Sequence, residues 1–177
     1  MFFAVRFWTI LIAILLLLFF TFEGRAGKPT KAKKSAKTKT EQIQRGKYIV
    51  EIAGCNDCHT PGYDVSGGKV PESEWLVGSA MGFMGPWGVT YPVNIRNMVS
   101  RMEETEWVNY VQTYEAAPPM PWWSLHNMTP QDIRAVYAYV KSLGPKGEEA
   151  PANLPPGTEP ATPYFNFSPI FPAGGGQ

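Results

Sequence analysis

Two cysteines and two histidines are all this chain of 177 residues has of either type. That scarcity excludes a disulfide-stapled scaffold and leaves too few ligands for an unstrained tetrahedral zinc site, since Cys58 and His59 are adjacent and His126 would have to close the set. Alternating strand and helix signals are also missing, and with them the α/β frame that a thioredoxin-like dithiol needs. The sequence contains no internal repeat. Basic residues become sparse after Tyr48, where Lys69, Arg96, Arg101, Arg134, Lys141 and Lys146 face most of the acids of the chain.

What is present is concentrated in one short run, Cys55-Asn56-Asp57-Cys58-His59. Two thiols at this spacing reach the two vinyl groups on one edge of a porphyrin, and an imidazole directly after the second thiol falls under the iron. The run therefore predicts one covalently attached haem c per chain, with Cys55 and Cys58 as its thioethers and His59 as the proximal metal ligand. Both cysteines are then consumed, so no structural disulfide is available.

Ligation of haem to thiols in bacteria takes place outside the cytoplasm, so the motif requires export. An apolar stretch from Phe7 to Phe22 follows Arg6, longer than most signal-peptide cores and slightly short of the ~20 residues of a membrane span. Residues 1–26 are read as a signal peptide or membrane anchor, with Gly24 and Ala26 as a small-x-small cleavage site. The bases that follow the apolar run, Arg25, Lys28, Lys31, Lys33, Lys34, Lys37 and Lys39, would favour the opposite orientation. The haem motif overrules that bias, and the periplasm is the expected location. Residues 27–40 lack apolar side chains to bury and read as a basic, disordered tether, a solvated spacer whose sharper alternative is contact with anionic lipid or an acidic partner. Nucleic acid is not an expected partner outside the cytoplasm.

About 150 residues remain beyond the leader, enough for one compact domain. A first helix over about Thr40 to Gly54 presents Ile43, Tyr48, Val50 and Ile52 and runs into the haem motif. A second helical region, about Ile95 to Tyr114, breaks near Met102 to Glu104. The last helix is the best marked: Thr129 is an N-cap, Pro130 occupies the first helical position, Asp132 lies three after the cap, and Met128 and Ile133 form a hydrophobic staple. Ile133, Val136, Tyr137, Val140 and Leu143 line one face before Gly144-Pro145 ends the helix. The first helix is its expected partner, because Gly46 admits a close backbone approach.

Arg45-Gly46-Lys47-Tyr48, Ala53-Gly54-Cys55-Asn56-Asp57-Cys58-His59-Thr60-Pro61, and Pro118-Pro119-Met120-Pro121-Trp122 leading to Asn127-Met128-Thr129 and Ala135-Val136-Tyr137-Ala138-Tyr139-Val140 resemble the class I c-type cytochromes. The likeness covers about Glu41 to Pro145 and is similar in particular to single-haem periplasmic cytochromes and to the haem c domains of alcohol dehydrogenase cytochrome subunits, which commonly carry several haem motifs where this chain has one. The resemblance implies an all-α, cytochrome c-like fold, with N- and C-terminal helices crossed around the haem and long irregular loops. The haem domain is thus placed at 41–145, followed by a proline-rich extended tail at 146–177. The methionine loop of the family implies Met120 as the sixth ligand, held between Pro119 and Pro121, where it would raise the reduction potential relative to two imidazoles. Met120 as core filler, and His126 as a second imidazole ligand, are the competing readings.

The stretch Gly82 to Asn94 has no regular period and looks like the segment that covers the haem propionates in related cytochromes. Trp87, Tyr91, Asn94 and Arg96 carry the donors able to meet propionates, with core filling as the alternative for the two aromatics. The tail holds Tyr164, Phe165, Phe167, Ile170 and Phe171, too apolar a group for a free linker, and is expected to pack back over the domain rather than dock to a partner. The predicted function is one-electron transfer by an exported carrier that is not itself an enzyme, in respiratory or dehydrogenase-linked electron transport. Its donor and acceptor would be redox proteins such as a periplasmic dehydrogenase, a terminal oxidase or another cytochrome. The alternative is a haem enzyme or gas sensor with a weakly held sixth position.

Overall fold

The computed structural model describes the backbone of residues 31–170 and side chains from Thr38 onward. The leader expected at 1–26, the start of the tether and Phe171 in the tail lie outside the described residues. The chain divides into two compact units, 1–36 and 37–177. Of the first, only the beginning of a helix is described.

That helix, α1 (Lys31–Ile52), starts upstream of the expected Thr40 and takes in much of the segment read as a tether. Alanine, lysine, glutamine and glutamate are good helix formers, and no glycine or proline interrupts the run before Gly46. Its buried face differs from the expected one. Gly46, Ile49 and Val50 are buried, whereas Tyr48 and Ile52 are exposed. Positions 43, 46, 49 and 50 share one side at 3.6 residues per turn, and 48 and 52 fall on the other.

The remaining helices are α2 (Cys55–His59), α3 (Ile95–Ser100), α4 (Glu104–Thr113), α5 (Trp122–His126) and α6 (Pro130–Leu143). The α3/α4 break lies at Arg101–Glu103, where Glu103 and Glu106 form a reciprocal capping box. Helix α6 has the predicted cap: Thr129 accepts a hydrogen bond from the Asp132 backbone N–H, Pro130 is at the first position, and Gly144 (φ 71°) ends it.

Helices α1 and α6 cross at Gly46. A Cβ there would lie 2.0 Å from the Ala135 carbonyl oxygen and 2.7 Å from Tyr139 Cβ, so only glycine permits the approach. Around this point Ile49, Val50, Ile133, Ala135, Val136, Tyr139 and Val140 form one core with Val99, Trp107, Val108 and Val111 of α3 and α4. Trp107 Nε1–H donates to the Ile133 carbonyl, satisfying the one polar atom that this indole brings inside.

A small sheet adds to the all-α expectation. Strands β1 (Gly82–Gly85), β2 (Gly88–Thr90) and β3 (Tyr164–Asn166) lie in the order β2-β1-β3. β1 and β2 form an antiparallel hairpin with Met84 opposite Val89, and β3 pairs parallel to β1 with Phe165 opposite Phe83. The tail therefore packs back on the domain. Among the described residues no helix is long and apolar enough to cross a membrane.

Candidate functional site

Gly54 turns the chain at the end of α1 with a left-handed conformation (φ 67°) and opens α2, which carries both cysteines. Cys55 and Cys58 are free thiols. Burial pushes the Cys55 thiol up to about 11, with Asp57 adding to the effect, and raises Cys58 in the same way, helped by Asp57 and Asp64. Such thiols carry little thiolate, the opposite of what a dithiol oxidoreductase requires.

His59 is the last residue of α2 and is buried. Its Nδ1 lies 2.8 Å from the Val93 carbonyl oxygen. A carbonyl can only accept, so Nδ1 carries the proton and Nε2 keeps its lone pair. Burial lowers the pKa of His59, which holds the ring neutral, as a metal-binding imidazole must be. The His59 backbone is fixed as well, its carbonyl accepting from Gly78 N–H at 2.9 Å. Next to it, buried Thr60 donates its hydroxyl proton to Asn56 Oδ1 at 2.8 Å and accepts from Leu76 N–H at 2.8 Å. The Asn56 side-chain nitrogen, 1% exposed as a residue, is a buried donor with no partner. Two free thiols, a neutral imidazole presenting Nε2 and an orphaned buried amide in one short helix fit a covalently held metalloporphyrin better than an ion held by protein alone. Among the described residues no three His, Cys, Asp or Glu side chains converge on one point.

Met120 is half-buried in the loop before α5. Its carbonyl accepts from Trp122 N–H at 2.9 Å, and the Pro118 carbonyl accepts from Thr90 Oγ1 at 2.7 Å, which ties this loop to β2. His126 Nε2 donates to the Tyr114 carbonyl at 3.1 Å and its ring lies against Trp122.

The four donors expected at propionates each have a protein partner. Trp87 Nε1–H donates to Phe83 O at 3.2 Å, and Tyr91 OH shares a 2.9 Å hydrogen bond with Thr162. Asn94 caps α3 through Oδ1 and donates from Nδ2 to Lys146 O and Glu148 O. Arg96, buried, donates to the carbonyls of Gly144, Ser73 and Leu143. The residue in this stretch that bonds His59 is Val93. Sequence reasoning misses Val93 because it acts through its backbone carbonyl, which no side-chain signal marks. Thr60 and Asn56 lie in and beside the motif, readable there only as polar residues.

A family model for cytochrome c matches residues 43–144. The chain is also 30% identical over 121 residues to one of the subunits of nicotinate dehydrogenase from Pseudomonas putida, an alignment that takes in 63% of this chain and 9% of that protein. It thus spans a small part of that relative's length. No solved structure gives a significant match.

Proposed function

Because this chain belongs to the cytochrome c family, which binds covalently attached haem c and carries electrons, we propose that it is a periplasmic one-electron carrier in which His59 and Met120 would hold the haem iron. When bound, the haem supplies an Fe(II)/Fe(III) couple. The residues of the chain hold it. Cys55 and Cys58 would give thioether sulfurs, His59 would give Nε2 and Met120 a thioether that favours the reduced state. The observation that carries the reading is the Nδ1–H···O=C bond from His59 to Val93, which selects the tautomer that leaves Nε2 free inside the Cys55–His59 motif. The family likeness, whose methionine loop matches Pro118-Pro119-Met120-Pro121, supports Met120 over the second histidine. The likeness to a dehydrogenase subunit supports a redox-protein donor or acceptor, of which a dehydrogenase, a terminal oxidase and another cytochrome are the proposed kinds. The apolar leader read at residues 1–26 supports delivery across, or anchoring to, the inner membrane.

The test is the optical spectrum of the exported protein, oxidised and reduced, with a haem stain after denaturing electrophoresis. A colourless protein, or pigment removed by acidic organic solvent, would overturn the proposal. Met120→Ala is expected to abolish the sulfur-to-iron charge-transfer band and lower the potential while haem stays attached. An unchanged spectrum would place the sixth ligand elsewhere, and rapid CO binding by the reduced parent protein would favour a sensor or enzyme.

A further inference from the structure

The segment Val89–Asn94 faces two ways. Toward α2, Val93 O accepts the His59 Nδ1 proton. Toward the tail, Val89 and Leu154 exchange both backbone hydrogen bonds at 2.9 Å, Tyr91 N–H donates to Asn153 Oδ1 at 2.9 Å, Tyr91 OH bonds Thr162 Oγ1, and Asn94 Nδ2 donates to Lys146 O and Glu148 O at 2.8 and 3.0 Å. Contact at Gly88 is close enough that a Cβ would lie 2.1 Å from Leu154 O. Two further anchors stand just outside the segment: Asn97 Nδ2–H donates to Gly147 O, and Arg101 pairs with Glu149.

The tail between Lys146 and Thr162 buries few side chains. Within it Pro160 is buried, and Ala150, Leu154 and Thr162 are half-buried. The polar ties of the tail converge on the stretch that holds the His59 proton.

We propose that residues 146–162 are a positioning strap for His59, holding the Val93 carbonyl against Nδ1–H and thereby setting the reduction potential. The inference rests on the reading of His59 as an iron ligand. A firmly held acceptor makes the imidazole a stronger donor at Nε2, which stabilises the ferric state and lowers the potential. Releasing the strap loosens the acceptor and raises the potential. Asn153 is exposed and Thr162 half-buried, so their ties can be cut without opening the core.

The experiment compares the full haem-loaded chain with Asn153→Ala, Thr162→Val and the double variant. Ile170→Ser, at a residue 93% exposed, is the control. Midpoint potential, solvent exchange of the His59 Nδ1 proton and melting temperature are measured for each. The variants are expected to keep covalent haem, to exchange the proton faster, and to shift the potential upward so that the oxidised-to-reduced ratio at the parent midpoint falls several-fold, a tenfold fall being about 59 mV for one electron. Ile170→Ser is expected to match the parent. Should the double variant fail to fold, Asn153→Ala alone decides. A lowered melting temperature with potential and proton exchange at parent values would make the tail a stabilising element only and overturn the strap. A parent chain that takes up no haem would overturn the ligand reading and the strap together, whereas a loaded parent with unshifted variants overturns the strap alone.

Discussion

The α1/α6 crossing and the hairpin with its tail are held by different forces. At the crossing, Ile49, Val50, Ile133, Ala135, Tyr139 and Val140 are buried, and the polar groups Arg45, Asp132, Lys47 and Glu72 stand at the rim. In the hairpin region Val89 and Tyr91 are buried, but Tyr164, Phe165 and Phe167 stay exposed even though Phe165 stacks on Phe83 at 5.8 Å. There the chain is held by directed bonds from Asn94, Asn97 and Tyr91 to tail groups, with Arg96 fixing the turn at Gly144 from which the tail departs. A buried aliphatic side chain contributes about 1.5–3 kcal/mol and a typical hydrogen bond about 0.5–1.5 net, so the crossing supplies stability and the tail supplies position. Apolar packing tolerates small slides, whereas a hydrogen bond fails when its acceptor moves. It follows that the group needing fine placement, the His59 ring, leans on the second region.

Ile133→Ala attacks the first region alone. Ile133 is fully buried, and its truncation is expected to cost about 2–5 kcal/mol in chemical denaturation while amide exchange in residues 146–162 keeps its local protection. Loss of that protection at the same low denaturant would merge the two regions into one cooperative unit. Arg96→Lys attacks the second. Lysine keeps the charge but cannot serve three carbonyls from one planar fork, so roughly 1.5–3 kcal/mol is expected to be lost, seen as local opening around Leu143–Glu148. A purely global effect would contradict the division.

The smallest effect concerns the rim of the crossing. Lys47 holds the Glu72 carboxyl below the ordinary range, chiefly by direct hydrogen bonding, and Arg45 does the same to Asp132. A carboxyl depressed in the folded state contributes stability above its unfolded pKa of about 4 and loses it as pH falls through the folded value. Both pairs are substantially exposed, so the contribution of each is expected to be small. Melting temperature should be level above about pH 5 and decline below it, and Glu72→Gln should reduce the decline; an unaltered pH profile in that variant would remove the pair from the account.

Much of the first region is legible in the sequence because its signals are local. The cap at Thr129, the proline at 130 and the apolar period of α6 each act within a turn or two, and the small residue at Gly46 marks a close approach by its lack of a side chain; the structure uses them all. The face of α1 departs from expectation at Tyr48 and Ile52, since a run of Tyr-Ile-Val-Glu-Ile offers apolar residues in several directions and only the partner helix selects one. The sheet is hidden from sequence reasoning because its strands have four, three and three residues, too short to show alternation, and β1 pairs with β3 across a long stretch of chain. At the site, the thiols and imidazole of Cys55 to His59 announce themselves by type and spacing. The partners of Asn94 and Arg96 do not, because a donor side chain can serve a propionate or a backbone carbonyl equally well.

Residue order alone was enough for the chemistry and the frame: which atoms are offered for haem attachment, and which helices cap, end and cross. Those properties depend on neighbours along the chain. The folded chain was needed to select which nitrogen of His59 is left free, which carbonyls Asn94 and Arg96 meet, and that the returning tail ties to Val89–Asn94. Each of these depends on a backbone carbonyl or amide brought from far along the chain, and nearly every residue type carries the same ones.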